Sequence, residues 1–212
     1  MSGSPEDNHS IASAPERGWR LSKDTLNLVI AVCAVLISAA SFVASYMQSE
    51  AAFRQVKAET WPYLQLDSGN VDSVTGDRII TVKLENVGVG PADVKSFELY
   101  YKDEHVKTVY QFIPMCCAAA SDMRMPALTA AGFITSTPAP KILASGAASL
   151  VFALPETTEN AALWAVLDKA RFDLRARGCY CSLLGECYET DFVSAPIGVE
   201  ACRVNPKLNY SG

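Results

Sequence analysis

Histidine is scarce in this chain of 212 residues; only His9 and His105 are present. A histidine-based catalytic triad therefore has one candidate in the bulk of the chain, His105. It follows Asp103-Glu104, where an exposed turn histidine is expected, and no serine or cysteine is marked as its partner. No G-x-S-x-G, no glycine-rich phosphate loop and no H-E-x-x-H is present, so the common local signatures of hydrolases, nucleotide-binding enzymes and zinc proteases are missing. The net charge is −5 and no basic stripe occurs, which argues against nucleic acid as a partner. No catalytic residue, metal ligand or cofactor-binding residue can be named from motifs, and the balance leans away from an enzyme.

One further absence is decisive. From Thr25 to Ser49 there is no charged residue, and Leu26 to Met47 is almost wholly apolar or small. At about 1.5 Å of rise per residue that run reaches about 33 Å, enough to cross a hydrocarbon core of roughly 30 Å. Val43-Ala44-Ser45 resembles a signal cleavage site, but the apolar run exceeds the roughly 7 to 15 residues of a signal h-region. The expectation is an uncleaved transmembrane helix over 25–49. It is preceded by a disordered polar tail (1–24) and followed by a helical stalk (50–60) and a domain over 61–212. Trp61-Pro62 should stop the stalk, because the residue before a proline is pushed out of the α region.

Arg17, Arg20 and Lys23 precede the apolar run, whereas Arg54 and Lys57 follow it, diluted by Glu50 and Glu59. This bias places the N-terminus in the cytoplasm and the domain on the far side of an inner (plasma) membrane, periplasmic or extracellular. Cysteine use agrees. Cys33 lies in the apolar run, while Cys116, Cys117, Cys179, Cys181, Cys187 and Cys202 all follow it, an even number as disulfides require.

Beyond Pro62 the apolar pattern changes to period two. Ile80, Val82 and Leu84 alternate with polar residues, as do Phe97, Leu99 and Tyr101. Val106, Thr108, Tyr110 and Phe112 follow, then Ala148, Leu150, Phe152 and Leu154. Half-apolar runs separated by turn residues predict seven or eight antiparallel strands, hence a mainly-β two-sheet sandwich. One helix is predicted over Glu159–Lys169, from Leu163, Val166, Leu167 and Ala170 at helical spacing. Asp67, Asn70, Asp72 and Asp77 with Gly69 and Gly76 miss the calcium-loop spacing and read as a hairpin turn.

Four short segments carry a resemblance: Trp61-Pro62-Tyr63-Leu64, the turn Asn86-Val87-Gly88-Val89-Gly90-Pro91-Ala92, Leu143-Ala144-Ser145-Gly146 and Tyr180-Cys181-Ser182. An N-x-G-x-G-P-A turn between strands resembles bacterial Ig-like sandwich domains, including the adhesion-related type. The whole layout is similar to a group of bacterial single-pass membrane proteins carrying such a domain. The resemblance implies an Ig-like fold and an envelope address, and it implies no activity. In physical terms Gly88 and Gly90 are expected to allow unusual backbone angles, and Pro91 an extended exit.

The most determined local structure is the hairpin around Cys181. Arg171 to Ser182 and Glu186 to Val193 both alternate, and a five-residue loop 182–186 sets Cys181 against Cys187. The same register pairs Tyr180 with Tyr188, Ala176 with Phe192 and Arg177 with Asp191, all favourable cross-strand neighbours. A Cys181–Cys187 disulfide follows; a zinc site is disfavoured by the Cys-x-Cys spacing and the lack of a nearby histidine. Cys116, Cys117, Cys179 and Cys202 then allow three pairings, with Cys202 expected to pin the C-terminal segment.

Two classes of function fit this layout. The first is a membrane-anchored extracytoplasmic module that binds a protein or another envelope component. The second is a ligand sensor or enzyme whose site is built from loops, or a cytoplasm-facing domain with reduced cysteines. Self-association is also expected. Ala31, Ala34, Ser38, Ser41 and Ser45 recur at steps of three and four, a seam of small residues suited to close helix packing in lipid.

Overall fold

The computed structural model describes residues 22–118 and 132–212. Residues 1–21, most of the predicted 1–24 tail, and residues 119–131 lie outside the described residues. Two compact units are present, 1–52 and Phe53–Gly212.

The described residues of the first unit belong to one helical stretch. Helix α1 spans Lys23–Glu59, and the Ser22 hydroxyl accepts the Thr25 N–H at 3.2 Å, satisfying a donor that the helix start leaves unpaired. The helix is long and apolar enough to cross a membrane, and none of its residues is buried. Ala31, Ala34, Ser38, Ser41 and Ser45 are all exposed on it. The Ser38 hydroxyl donates to Ala34 O of its own helix at 2.8 Å. Helix α1 ends just ahead of Trp61-Pro62, and the last turns from Phe53 onward belong to the second unit.

The second unit is mainly β. Among the described residues it contains ten strands in two antiparallel sheets. The strands are β1 (Leu64–Gly69), β2 (Ile79–Asn86), β3 (Ala92–Tyr101), β4 (Glu104–Val106), β5 (Ile134–Thr135), β6 (Lys141–Leu143), β7 (Ala148–Pro155), β8 (Leu174–Ser182), β9 (Cys187–Thr190) and β10 (Ile197–Val199). One sheet runs β1-β2-β7-β5; the other runs β10-β9-β8-β3-β4, with β6 also paired to β3. Inward residues of both sheets, such as Ile80, Val82 and Leu84 on β2 and Phe97, Leu99 and Tyr101 on β3, belong to one buried cluster. Asp72 organises the β1–β2 hairpin, its carboxylate accepting the Val74 and Thr75 N–H groups at 2.8 and 3.0 Å. These backbone bonds, Thr75 first, hold the Asp72 carboxyl below its ordinary range.

Four sequence expectations are corrected by this structure. The first concerns Val106–Phe112, which is not a strand. Only Glu104–Val106 is extended, and helix α2 follows over Val109–Cys117 with Thr108 as its N-cap, the hydroxyl accepting the Gln111 N–H at 3.3 Å. Helical spacing of Val109, Phe112 and Ile113 prevails because all three reach the core. Among its described residues the domain thus has two α-helices of its own, α2 and α3 (Ala161–Ala170), where one was expected.

The second lies in β7. A bulge there moves the β2 partner from Phe152 to Leu150 between Val82 and Lys83. Ser149 rather than Leu150 or Ala148 consequently takes the buried position.

The third concerns Arg171–Asp173, which forms a 3-10 turn ahead of β8. Phe172 is 65% exposed, while Arg171 is buried and donates to Asp168 at 2.9 Å and to Ser68 O at 3.1 Å.

The fourth is the end of β9. The strand stops at Thr190, so Ala176–Phe192 and Arg177–Asp191 are not strand pairs. Asp191 accepts the Val193 and Ser194 N–H groups at 3.0 and 2.7 Å and turns the chain. Phe192, at φ 60°, folds over Gly178, where a Cβ would meet its ring at 2.9 Å.

Candidate functional site

Two features of the domain concentrate chemistry. The first is a hydrogen-bonded knot where the chain enters the domain. Asn86, at the end of β2, is fully buried. Its amide nitrogen donates to Gly90 O at 2.8 Å and Leu143 O at 3.0 Å, with Ala144 O at 3.3 Å. Its Oδ1 accepts the Tyr63 N–H at 3.2 Å and the Gly88 N–H at 3.1 Å. The Ser145 hydroxyl donates to Gly88 O at 2.6 Å, and the Gly90 N–H donates to Trp61 O at 3.2 Å.

Three of the four sequence segments that carried the resemblance therefore meet at one buried side chain. The fourth, Tyr180-Cys181-Ser182, pairs with Ala92 to Val94 beside them. The glycines act differently from the expectation. Neither Gly88 nor Gly90 has a positive φ. Their need is space: a Cβ on Gly90 would lie 2.0 Å from Thr60 O, and one on Gly88 would lie 2.3 Å from Tyr63 N. The knot is architectural and fixes the first strand to its entering chain.

The second feature is the outward face of the six-stranded sheet. Cys179 and Cys181 stand two residues apart on β8 and so share that face. Cys181 lies opposite Cys187 with Cα atoms 4.0 Å apart, and the two sulfurs are at disulfide distance, 2.09 Å. Cys179 is likewise at disulfide distance from Cys202, which places the irregular C-terminal segment against β8. Cys116 and Cys117, the remaining pair, are at disulfide distance in the last turn of α2. The sulfurs of Cys181 and Cys202, in different disulfides, are 3.7 Å apart. Those of Cys181, Cys187 and Cys202 lie within 4.8 Å of one another, so the group could hold a soft metal only if its disulfides were open.

Beside the Cys179–Cys202 bond lies an open groove of about 430 Å³. Its walls mix Glu98, Glu189 and Asp191 with Arg177 and Arg203. Backbone N–H groups of Ser194 and Val193 hold the Asp191 carboxyl below its ordinary range. Two residues along β3, on the same face, Tyr100 donates to Glu98 at 2.6 Å; burial first, and then this carboxylate, raise its pKa. Tyr180 and Tyr188 lie on the opposite, inward face with ring centres 5.6 Å apart. The Tyr180 hydroxyl is buried with no hydrogen-bond partner among the described residues, and burial pushes its pKa up to about 12.

His105 does not line this groove; its ring stands edge-on to Tyr100, with ring centres 5.6 Å apart. It is half-buried rather than exposed, and its Nε2 lies 2.7 Å from Leu208 O.

Tyr210 was missed in the sequence and is among the most buried side chains. The gap on the edge of β3 between β6 and β4 is filled by the C-terminal segment. Asn209 Oδ1 accepts the Phe97 N–H at 3.2 Å, and the Tyr210 N–H donates to Phe97 O at 2.8 Å. The Tyr210 ring stands edge-on to Phe97, with its hydroxyl 3.3 Å from Thr135 Oγ1. A lone aromatic in an otherwise polar tail was the available signal.

No protein family, no curated protein and no solved structure matches this chain.

Proposed function

We propose that the chain is a single-pass membrane protein whose two sheets form an Ig-like β-sandwich outside the cytoplasm, and that this module binds a protein or another envelope component. The observation that carries the reading is the pairing of all six cysteines beyond the apolar helix at disulfide distance, with Cys33 of that helix the free one. Six paired cysteines suit an oxidising compartment, and the Arg17, Arg20, Lys23 excess ahead of the helix points the same way. A groove of mixed charge suits a polar partner surface better than an apolar ligand.

The test is topological. A membrane-impermeant protease added to cells whose outer barriers are opened should digest the domain while the inner membrane stays intact. Protection until that membrane is lysed would reverse the orientation. Crosslinking in native membranes should then return a stoichiometric protein partner; its absence, together with a small molecule retained by the purified chain, would favour the sensor or enzyme reading.

We further propose that the small-residue seam of the helix pairs two copies. The Ser38 hydroxyl is bonded within its own helix, so the contribution of the seam is close approach of backbones. Replacing Ala34, Ser38 and Ser41 with leucine should abolish dimerisation in a membrane-helix association assay, whereas leucine at Val32, Val35 and Ile37 should leave it intact. Equal behaviour of the two sets would remove the seam as the cause.

A further inference from the structure

We propose that Cys179, Cys181, Cys187 and Cys202 form one thiol–disulfide exchange unit, in which a thiol reductant acts at Cys187 and the reduction passes inward through Cys181 to the Cys179–Cys202 bond. Three observations carry this. Cys179 and Cys181 share one face of β8, so their two disulfides lie side by side. The Cys181 and Cys202 sulfurs are 3.7 Å apart, a contact distance between atoms of separate disulfides. Access is graded: Cys187 is half-buried at the mouth of its hairpin, whereas Cys181 and Cys179 are 7% and 3% exposed.

The chemistry balances at each step. An incoming thiolate attacks the Cys187 sulfur and forms a mixed disulfide with it; the Cys181–Cys187 bond breaks and Cys181 leaves as a thiolate. That thiolate attacks the Cys202 sulfur. A Cys181–Cys202 bond forms, the Cys179–Cys202 bond breaks, and Cys179 leaves as the thiolate. A second thiol of the reductant then resolves the mixed disulfide, so that the reductant is oxidised by two electrons and the protein keeps one of its two disulfides in this cluster. Closing the 3.7 Å gap to a bond of roughly 2.0 Å asks for a small movement of Cys202, which lies outside the strands, directly after the bend at Glu200 and Ala201. Strand β8 need not break.

The inner step can be tested without any reductant. In the full-length chain with Cys33→Ser throughout, Cys187→Ser leaves Cys181 as a thiol facing the Cys179–Cys202 disulfide. Acid quenching, alkylation and peptide mapping should recover the label on both Cys179 and Cys181, together with a Cys181–Cys202 crosslinked peptide. Label on Cys181 alone would overturn the proposal. Should Cys187→Ser fail to fold, the chain with Cys187 intact, treated with one equivalent of dithiothreitol, gives the same reading. Free Cys179 with a Cys181–Cys202 peptide supports the relay, and free Cys181 and Cys187 with Cys179–Cys202 intact overturns it.

Discussion

Asn86→Ala is expected to destabilise the domain by about 3 to 5 kcal/mol, measured by urea unfolding of the full-length chain in detergent. Asn86 is fully buried, and its two ends serve opposite kinds of backbone group: it donates to Gly90 O and Leu143 O and accepts from Tyr63 N–H and Gly88 N–H. A typical hydrogen bond contributes about 1 kcal/mol net, so the loss of these four bonds amounts to about 4 kcal/mol, inside the stated range. Asn86→Asp separates shape from hydrogen bonding. Aspartate keeps the size and both accepted bonds but turns a second oxygen toward carbonyls, so it should lose about as much as alanine. If Asn86→Asp unfolds within about 0.5 kcal/mol of the parent, the two-sided pattern is not what matters. Gly90→Ala should be at least as damaging, since its Cβ would lie 2.0 Å from the Thr60 carbonyl oxygen, a backbone atom that cannot swing aside.

The sequence was most legible where one face of a strand is buried and the other is not. Ile80, Val82 and Leu84 on β2, and Phe97, Leu99 and Tyr101 on β3, are all in the core. The Cys181–Cys187 and Tyr180–Tyr188 oppositions were readable for the same reason, because a short loop fixes the register. Legibility failed where two periods overlap: from Val106 to Phe112 alternation and helical spacing both fit, and the Thr108 cap was the deciding signal. Alternation also misled at β7, since a bulge has no mark in local sequence.

Of the candidate site, the Cys-x-Cys face was readable. The neighbouring groove was not, because it combines residues of β3, β8 and β9 with Arg203 of the C-terminal segment. Asn86 stood in a recognisable turn, yet its partners at 143 and 144 are far away in sequence, and only the fold shows that three of the four segments serve one side chain. The motifs therefore report on architecture, and the chemistry resides in the cysteines beside them.

Tyr210 is where the C-terminal segment is fastened, and its loss is expected to be comparably severe. The side chain is fully buried against Phe97, so Tyr210→Ala should cost about 3 to 5 kcal/mol. Tyr210→Phe keeps the ring and should cost only about 1 kcal/mol at pH 7, the worth of its hydroxyl contact with Thr135. The two proteins should differ most in alkali. Burial raises the Tyr210 pKa from 10.0 to about 12, so the folded state holds the phenolic proton more tightly than the unfolded chain does. With a raised folded pKa, the contribution is complete below pH 10 and is lost as pH rises toward 12. The full loss is about 3 kcal/mol, of which about 1.4 kcal/mol is gone by pH 11. Tyr180, also raised to about 12 by burial, adds a loss of the same sign that the variant retains. Urea unfolding at pH 8, 9, 10 and 11 should therefore show Tyr210→Phe starting below the parent and overtaking it by pH 11. Two curves that stay parallel across that range would mean that Tyr210 titrates alike in the folded and unfolded chain, and the tail would then not be fastened through a buried phenol.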